Sequence, residues 1–519
     1  MSRFASLVAL LLGAAAATGF APLDWWPVTL IAVAAWLWLV HDAASLKQAL
    51  WRGWAFGVGH FSVNDNWIQH AFTYQDKMPH WLGYAAPIAL ALYLAVYPAI
   101  AAGLAWKFAS ARAVGNATAR PDARFALVAG AAWIATEYLR STMFTGYAWD
   151  PLGVIWVAVL PVARATAWIG TYALSGLTIV AAGALLLLAL RRWRLAAIVA
   201  VATAAIALVN IDFQVTAAIP SPTTPRVRVV QPNLGLEARA GADYDETSFR
   251  ALLGLSGTPG AVPRLIVWPE GALGYLLEDG YPPQYYWEST PAFVRMRIAA
   301  RLGPKDVLLT GGDGLIFDAS DKLTMATNSI FAVDGRGQLR GRYDKAHLVP
   351  YGEYLPLRSI LGPLGLARLV PGDVDFRPGP GPLNITLPGF GAVGGQVCYE
   401  IVFSGQVVDP EHRPAILFNP SNDAWFGSWG PPQHLAQARM RAIEEGLPIL
   451  RSTPTGISAV IAADGRLLGT VPPHQAGAIE VTMPLPLPPT LFSRAGNWMA
   501  GLIAGLLVAL AVAIARRSH

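Results

Sequence analysis

Three stretches of the chain put a reactive side chain at or just beyond the end of a predicted strand, where α/β folds place their sites. They are R-L-I-V-W-P-E-G with Glu270, G-R-Y-D-K-A-H-L-V-P-Y-G-E-Y with Lys345, and G-A-V-G-G-Q-V-C-Y-E with Cys398. Taken singly, each residue has an ordinary structural reading. A lone cysteine after a strand is more often buried filler, and a lone Glu or Lys at a strand end is more often a solvated rim charge. Together the three types make a complete nucleophilic machine. A neighbouring ammonium favours the thiolate, a carboxylate takes the thiol proton and returns it as general acid, and the same ammonium stabilises an oxyanion. Tyr399 and Glu400 follow the thiol and are expected to open a helix, which offers the backbone N–H of Tyr399 as a second oxyanion donor. Glu353 lies in a Pro/Gly turn after Lys345.

The rest of the composition narrows the chemistry. Cys398 is the only cysteine among 519 residues, which excludes an intramolecular disulfide and any multi-cysteine zinc or iron–sulfur site. The nine histidines show no metal-binding spacing, and P-loop and dinucleotide signatures are absent, so neither a metal nor a cofactor is expected. The net charge of +5 is spread along the chain without a block of basic residues, so no nucleic-acid partner is expected.

The elements that must position these groups lie between about Arg226 and Leu485, where short β-rich runs alternate with Gly, Pro, Asn and Asp. Predicted strands are Arg226–Gln231, Arg264–Trp268, Asp306–Leu309, Asn328–Val333, Leu339–Tyr343, Ala392–Val397, Ala415–Asn419, Ile457–Ala462 and Ile479–Met483. Several are unbroken apolar strings, as strands buried on both faces are. Asp334-Gly335 and Asp464-Gly465 are hairpin turn pairs. His434–Gly446 reads as a helix stopped by glycine with Pro448 beyond, and Pro371–Leu383 as a loop. The predicted class is α/β or α+β with a largely buried sheet.

The remainder is unlike a soluble protein. Only 14% of residues are charged and 54% are hydrophobic, against about 25% charged in a typical globular chain. Apolar runs near the length of a membrane span, about 20 residues, occur at Phe4–Phe20, Val28–Val40, Gly53–Phe72, Ala85–Trp106, Phe125–Phe144, Val162–Leu190, Leu195–Asn210 and Gly496–Ala515. The first run also fits a signal peptide, although a helix hairpin at Ala21–Pro27 and further spans follow it at once. Val28–Val40 is short for a span. Lys47, Arg52, Lys107, Arg112, Arg120, Arg124, Arg191, Arg192, Arg194, Arg516 and Arg517 fall on one side, with Lys77 the main exception, so both termini are expected in the cytoplasm and the large domain outside. Within the membrane part, Asn64, Asp65, Asn66, Glu137, Arg140 and Arg164 are costly polar residues. Glu137 and Arg140, three apart on one helix face, are expected to pair with each other or with Asp65.

The W-P-E, D-K-x-H-L-V-P-x-G-E and C-Y-E motifs resemble the Glu-Lys-Cys triad of the nitrilase, or carbon–nitrogen hydrolase, superfamily. The placement of one such domain between a seventh and an eighth span resembles the apolipoprotein N-acyltransferase family. Further similarity lies in S-N-D-A-W-F-G at Ser421–Gly427, Q-H-L-A-Q-A-R-M-R-A-I-E at Gln433–Glu444, R-S-T-P-T-G-I-S at Arg451–Ser458 and E-Y-L-R-S-T-M-F-T-G-Y-A-W at Glu137–Trp149. The resemblance implies an α-helical polytopic membrane domain of about eight spans plus an α/β nitrilase-like αββα sandwich. It divides the chain into membrane helices at 1–212, a linker at 213–225, a catalytic domain at 226–485 and a last helix with a tail at 486–519. It implies Glu270 as general base and acid, Lys345 as charge stabiliser, Cys398 as nucleophile and Glu353 as an additional active-site glutamate. Tyr399, Glu400, Trp425 and Trp149 are implied supporting residues. A tryptophan expected in the loop Gln231–Asp245 is missing.

The implied reaction takes an acyl chain from the sn-1 ester of a phospholipid donor onto Cys398, then passes it to the N-terminal cysteine amine of a diacylglyceryl-apolipoprotein. Splitting one hard transfer through a thioester is what covalent catalysis achieves. Leu355–Val370 and the aromatic loop Tyr275–Trp287 are either core or lids that dip into membrane lipid. Three rival readings stand beside this one: a membrane-tethered amidase or nitrile hydrolase in which water resolves the thioester, a transporter with an accessory domain, and an inactive binding module.

Overall fold

A computed structural model describes residues 2–75, 78–110, 120–211, 223–241, 243–286, 289–370, 372 and 374–517. Lys77, Arg112, Trp287, Pro371 and most of the expected linker lie outside them.

Eight helical stretches occupy the eight apolar runs. They are α1 (Ser2–Ala17), α2 (Trp26–His41), α3 (Leu46–Asn64), the consecutive α4 (Leu82–Leu94) and α5 (Val96–Ala109), α6 (Ala123–Thr142), α7 (Thr166–Ala189), α8 (Trp193–Ile211) and, after the large domain, the C-terminal helix Trp498–Arg517. Among the described residues three stretches, Leu82–Ala109, Thr166–Ala189 and Trp498–Arg517, are long and apolar enough to cross a membrane. The first run is a packed part of this bundle. A Cβ on Gly13 would meet the Phe56 carbonyl oxygen at 1.9 Å and one on Gly59 would meet that of Leu10 at 1.9 Å, so α1 and α3 touch backbone to backbone.

The expected pairing of Arg140 with Glu137 or Asp65 is not made. Arg140 donates instead to the Trp149 carbonyl at 2.8 Å and lies over the rings of Phe61 and Tyr147. Glu137 accepts from the Leu152 amide at 2.8 Å and the Trp133 indole at 3.1 Å. Buried backbone groups at the end of the helix compete for these charges, and the nearest donor or acceptor wins over the side chain one turn away.

The large domain contains two six-stranded sheets. In the first the order is β12-β1-β2-β3-β4-β5, with β1 (Arg226–Gln231), β2 (Arg264–Val267), β3 (Val307–Phe317), β4 (Leu323–Asp334), β5 (Leu339–Asp344) and β12 (Gly477–Thr482). In the second it is β11-β10-β9-β8-β7-β6, with β6 (Asn384–Leu387), β7 (Gly391–Gly395), β8 (Ile416–Pro420), β9 (Ile449–Ser452), β10 (Ser458–Ile461) and β11 (Leu467–Val471). Each sheet has two parallel pairings at its centre, β1–β2–β3 and β7–β8–β9, flanked by antiparallel ones. The alternation along β2 explains the layers. Leu265 and Val267 join the core between the sheets, while Ile266 and Trp268 face α9 (Tyr244–Leu255) and α10 (Pro291–Ala299).

The second sheet is covered by α11 (Gly430–Glu445), which begins before the expected His434 because Pro431 and Pro432 fit a first helical turn. It ends as expected at Gly446, in the left-handed conformation at φ 64°. Leu435, Ala438 and Ala442 of α11 pack on the sheets, and Ala436, Met440 and Ile443 pack into the helical bundle. One helix therefore belongs to both halves. Polar contacts fix the same seam: Thr171 donates its N–H and hydroxyl to Glu444 at 2.7 and 2.6 Å, and Arg164 pairs with Asp464 at 2.8 Å. The last helix, α12, is Trp498–Arg517.

Candidate active site

Glu270 follows β2, after Trp268 continues the ladder by donating to Leu309 at 2.9 Å. A Cβ on Gly311 of β3 would lie 2.8 Å from Glu270 Cα, so glycine there admits the Glu270 backbone. Lys345 is the first residue beyond β5, and its N–H donates to the Asn328 carbonyl at 2.8 Å. Cys398 sits beyond β7 with φ 52°. A non-glycine residue in the left-handed region costs about 1–3 kcal/mol and persists where the surroundings enforce it. The expected helix after Cys398 is a five-residue 3-10 turn, Cys398–Val402.

These three strand ends converge in one buried cluster. Lys345 Nζ pairs with Glu353 Oε2 at 2.9 Å, with side chains 1% and 6% exposed. Glu353 Oε2 also accepts from the Val349 amide at 2.8 Å. Asn328 of β4 bridges the carboxylates, donating from Nδ2 to Glu270 Oε1 at 2.7 Å and to Glu353 Oε1 at 2.9 Å. Glu270 Oε2 is buried without a well-formed hydrogen bond, and the Cys398 thiol is its neighbour. Burial raises the Glu270 carboxyl above the usual range, opposed by Lys345. Burial also pushes the Cys398 thiol well up, helped by Glu270 and opposed by Lys345. Burial works against the charge on Lys345, but Glu353 and Glu270 overrule it and hold the ammonium above the ordinary lysine range. The ion pair Lys345–Glu353 is thus fixed, and one proton is exchangeable between the Cys398 sulfur and Glu270. Moving it changes the buried charge of the cluster by nothing, which keeps the transfer cheap where creating a lone charge is costly.

Glu400 locks the two sheets together behind this cluster. It accepts from the amides of Ala346, His347 and Val397 at 2.7, 3.0 and 2.7 Å and from the Tyr343 hydroxyl at 2.8 Å. Burial pushes its carboxyl up to about 7 against those donors and Lys345. It therefore ties the Lys345 loop to the Cys398 turn. A Cβ on Gly395 would meet the Tyr343 ring at 2.5 Å, so glycine lets β7 close on that tyrosine.

A second layer, not assigned a role from sequence, holds the cysteine backbone. His434 Nε2 is 3.1 Å from the Cys398 carbonyl oxygen, and Asn419 Nδ2 is 3.3 Å from it. Arg451 donates to both Asp423 oxygens at 2.6 and 2.7 Å and to Asn419 Oδ1 at 2.6 Å. Burial and the Arg451 guanidinium push His434 down to about 4, so it is neutral. Its Nε2 then carries the hydrogen donated to Cys398 O, and Nδ1, 3.2 Å from Arg451, accepts. Burial opposes the Asp423 charge, but the Arg451 guanidinium outweighs it and holds that carboxyl below its usual range. Three motifs singled out in the sequence thus supply Asp423, His434 and Arg451 to one network. Asn328 had no such signal beyond an amide at the start of an apolar run.

The remaining expected residues sit farther out. Trp149 is buried, donates to Gln433 at 2.8 Å and stacks 5.3 Å from the His434 ring. Trp425 is half-buried in a 3-10 turn, with its ring 5.6 Å from that of Tyr74. The Tyr399 ring packs 5.1 Å from Phe403. In the segment Leu355–Val370, Leu355 belongs to the core, whereas Leu357, Ile360 and Leu364 are exposed.

The chain matches two family models, "Apolipoprotein N-acyltransferase N-terminal domain" over residues 12–184 and "Carbon-nitrogen hydrolase" over residues 257–487. It is similar to the apolipoprotein N-acyltransferase of Rhodopseudomonas palustris, at 32% identity covering 97% of this chain and 94% of that one. It is similar also to those of Ralstonia nicotianae (33%, covering 99% and 94%) and Caulobacter vibrioides (33%, covering 92% and 88%). Among solved structures, an amidase of the nitrilase superfamily from Nesterenkonia aligns at a TM-score of 0.34 and 17% identity, covering 56% of this chain and 98% of that one.

Proposed function

Because this chain belongs to the apolipoprotein N-acyltransferase family, we propose that it acylates the N-terminal amine of apolipoproteins through a thioester on Cys398. The observation that carries this reading is the convergence of Glu270, the Lys345–Glu353 pair and the Cys398 thiol in one buried cluster, on a domain fused along α11 to apolar helices.

In the first half-reaction the Cys398 sulfur bonds to the carbonyl carbon of a phospholipid sn-1 ester while Glu270 takes the thiol proton. Lys345 faces the growing oxyanion. The carbon–oxygen bond to glycerol then breaks, Glu270 returns its proton to the glycerol oxygen, and a lysophospholipid leaves. In the second half-reaction the α-amine of the diacylglyceryl-cysteine attacks the thioester carbon. Glu270 takes a proton from that nitrogen, the carbon–sulfur bond breaks, and the proton goes back to sulfur. Glu353 holds Lys345 charged, and Tyr399, Glu400, Trp425 and Trp149 support the cluster. No metal or cofactor takes part.

Both substrates are lipids, and the helices bring the site to them. The reading places the protein in the bacterial inner membrane with residues 1–212 as seven helices, 213–225 as linker, 226–485 as the periplasmic catalytic domain, 486–519 as the eighth helix and tail, and both termini in the cytoplasm. Leu357, Ile360 and Leu364 are suited to dip into the outer leaflet.

Intact and peptide mass spectrometry of the membrane-purified protein tests the mechanism. The expected result is a hydroxylamine-labile acyl group on Cys398 that disappears on adding a lipopeptide with a free amine. A thiol that never charges from phospholipid, or an adduct that only water removes, overturns it and favours a hydrolase.

A further inference from the structure

A polar cavity of about 350 Å³ opens at the seam between the two halves. From the helical half it is lined by Asn66, Trp67, Gln69 and His70, and from the large domain by Gly427, Ser428 and Trp429. Its volume is in the range of small-ligand sites. A Cβ on Gly427, which has φ 56°, would come within 3.3 Å of His70, so this glycine sets the close approach that shapes the cavity.

The lining is polar but carries no Lys, Arg, Asp or Glu among the described residues. Without a cation it is poorly suited to a phosphate, and without a carboxylate to an ammonium headgroup. Amides, a hydroxyl and two indoles suit a neutral ligand rich in amide donors and acceptors. A chain of packed rings links the cavity to Cys398. The Trp67 ring packs 4.7 Å from Trp149 and 4.8 Å from Phe426, and both those rings pack on His434, which holds the Cys398 carbonyl. Gly427 follows closely after Asn422, whose backbone amide meets the Cys398 thiol.

We propose that this cavity is the subsite for the polypeptide of the acceptor, binding the backbone of the few residues that follow the acylated cysteine; the assignment of an acceptor rests on the function proposed above. An acceptor with a peptide then binds through two anchors, its lipid and its backbone, whereas a lipidated cysteine without peptide has only the first.

The test compares a diacylglyceryl lipopeptide with diacylglyceryl-cysteine amide on the full-length protein in phospholipid vesicles. Gln69→Leu and Ser428→Leu alter exposed lining side chains, so the fold is spared. Binding is measured first, on a Cys398→Ala background that cannot turn over. Lipopeptide is expected to bind at least 5-fold tighter than the cysteine amide, and the two substitutions together to erase that difference. Equal affinities, or a preference that survives both substitutions, overturn the subsite. In the Cys398 protein the substitutions are expected to raise the lipopeptide KM for thioester discharge at least 5-fold, with thioester formation from phospholipid holding within 2-fold. Failure of the parent protein to form the thioester refutes the proposed function, whereas a preserved thioester with unchanged binding and discharge refutes only the subsite.

Discussion

Replacing Asn328 by leucine, nearly the same size, removes a side chain that touches both Glu270 and Glu353. Its Nδ2 donates to Glu270 Oε1 at 2.7 Å and to Glu353 Oε1 at 2.9 Å. Hydrogen bonds to charged groups are worth about 1.5–3 kcal/mol each. Glu353 keeps Lys345 and the Val349 amide, so its loss is largely absorbed. Glu270 has no comparable reserve, because its other oxygen has no well-formed hydrogen bond. The bond from Asn328 lowers the proton affinity that burial raises. Without it Glu270 holds its proton to a higher pH, so below that pH a smaller fraction of it is free to take the proton from Cys398. If the whole of that bond is felt in the proton affinity of Glu270, thioester formation on the acidic limb slows by roughly 10- to 150-fold at a given pH. The acidic limb of its pH profile moves up by about one to two pH units. The assay is rapid-quench intact mass spectrometry of acyl-Cys398 from pH 5 to 9, with the thermal midpoint taken in the same detergent to establish folding. A folded Asn328→Leu protein that charges at the parental rate with an unmoved acidic limb refutes the assignment of Glu270 as the base governed by this bridge.

Other perturbations test the surrounding layers. His434 has a folded pKa of about 4, below its ordinary value of 6.5, so the stability it contributes is present above pH 6.5 and is lost as pH falls through 4; at about 1.4 kcal/mol per pH unit this amounts to about 3 kcal/mol. His434→Gln should show a smaller fall in thermal midpoint between pH 6.5 and 4 than the parent protein. Gly395→Ala drives a methyl group into the Tyr343 ring and should cost about 1–3 kcal/mol, with slower thioester formation because the Tyr343–Glu400 bond is displaced, both read from melting and charging rates. Leu357→Ser with Leu361→Ser should weaken turnover of phospholipid in vesicles while leaving the melting temperature unchanged; unaltered lipid kinetics would rule out a lid that meets the bilayer.

How much of this was legible in the sequence depends on what each residue had to reveal locally. Strands buried on both faces write themselves as apolar strings, so β2 and the inner part of β4 were legible, and with β2 the end that carries Glu270; β5, where only Tyr343 is buried, lacks that pattern although its place was expected. β9 was missed because Arg451 interrupts its apolar reading, although Asp423 and Asn419 neutralise and bind that guanidinium in the fold. β6 and β11 are edge strands with exposed positions and lack the doubly buried pattern. Both predicted hairpins exist, but at Asp334 the turn is longer than the dipeptide implied: Gly337, at φ 72°, takes the left-handed position and Asp334 caps the backbone of Arg336 and Gln338. Asn328 was invisible because its partners lie 58 and 25 residues away. Arg140 was misread for the opposite reason, since a local helix spacing suggested a partner and the tertiary fold supplied a backbone carbonyl instead.

The pairing of β1 with β12 has a consequence for how the protein is made. The two strands run antiparallel along their whole length, from Arg226 opposite Thr482 to Gln231 opposite Gly477. As the chain leaves the ribosome, β1 emerges early and stays an open edge until nearly the whole domain has followed. An open edge strand is a template for unwanted pairing. During that interval the helices ahead of β1 have already been synthesised and can shelter the nascent domain, and α11 can settle on them before the first sheet is sealed. Translation that stops before Gly477 leaves that edge permanently exposed, so nascent chains truncated there should be cleared by proteolysis even though Glu270, Lys345, Glu353 and Cys398 have all been made.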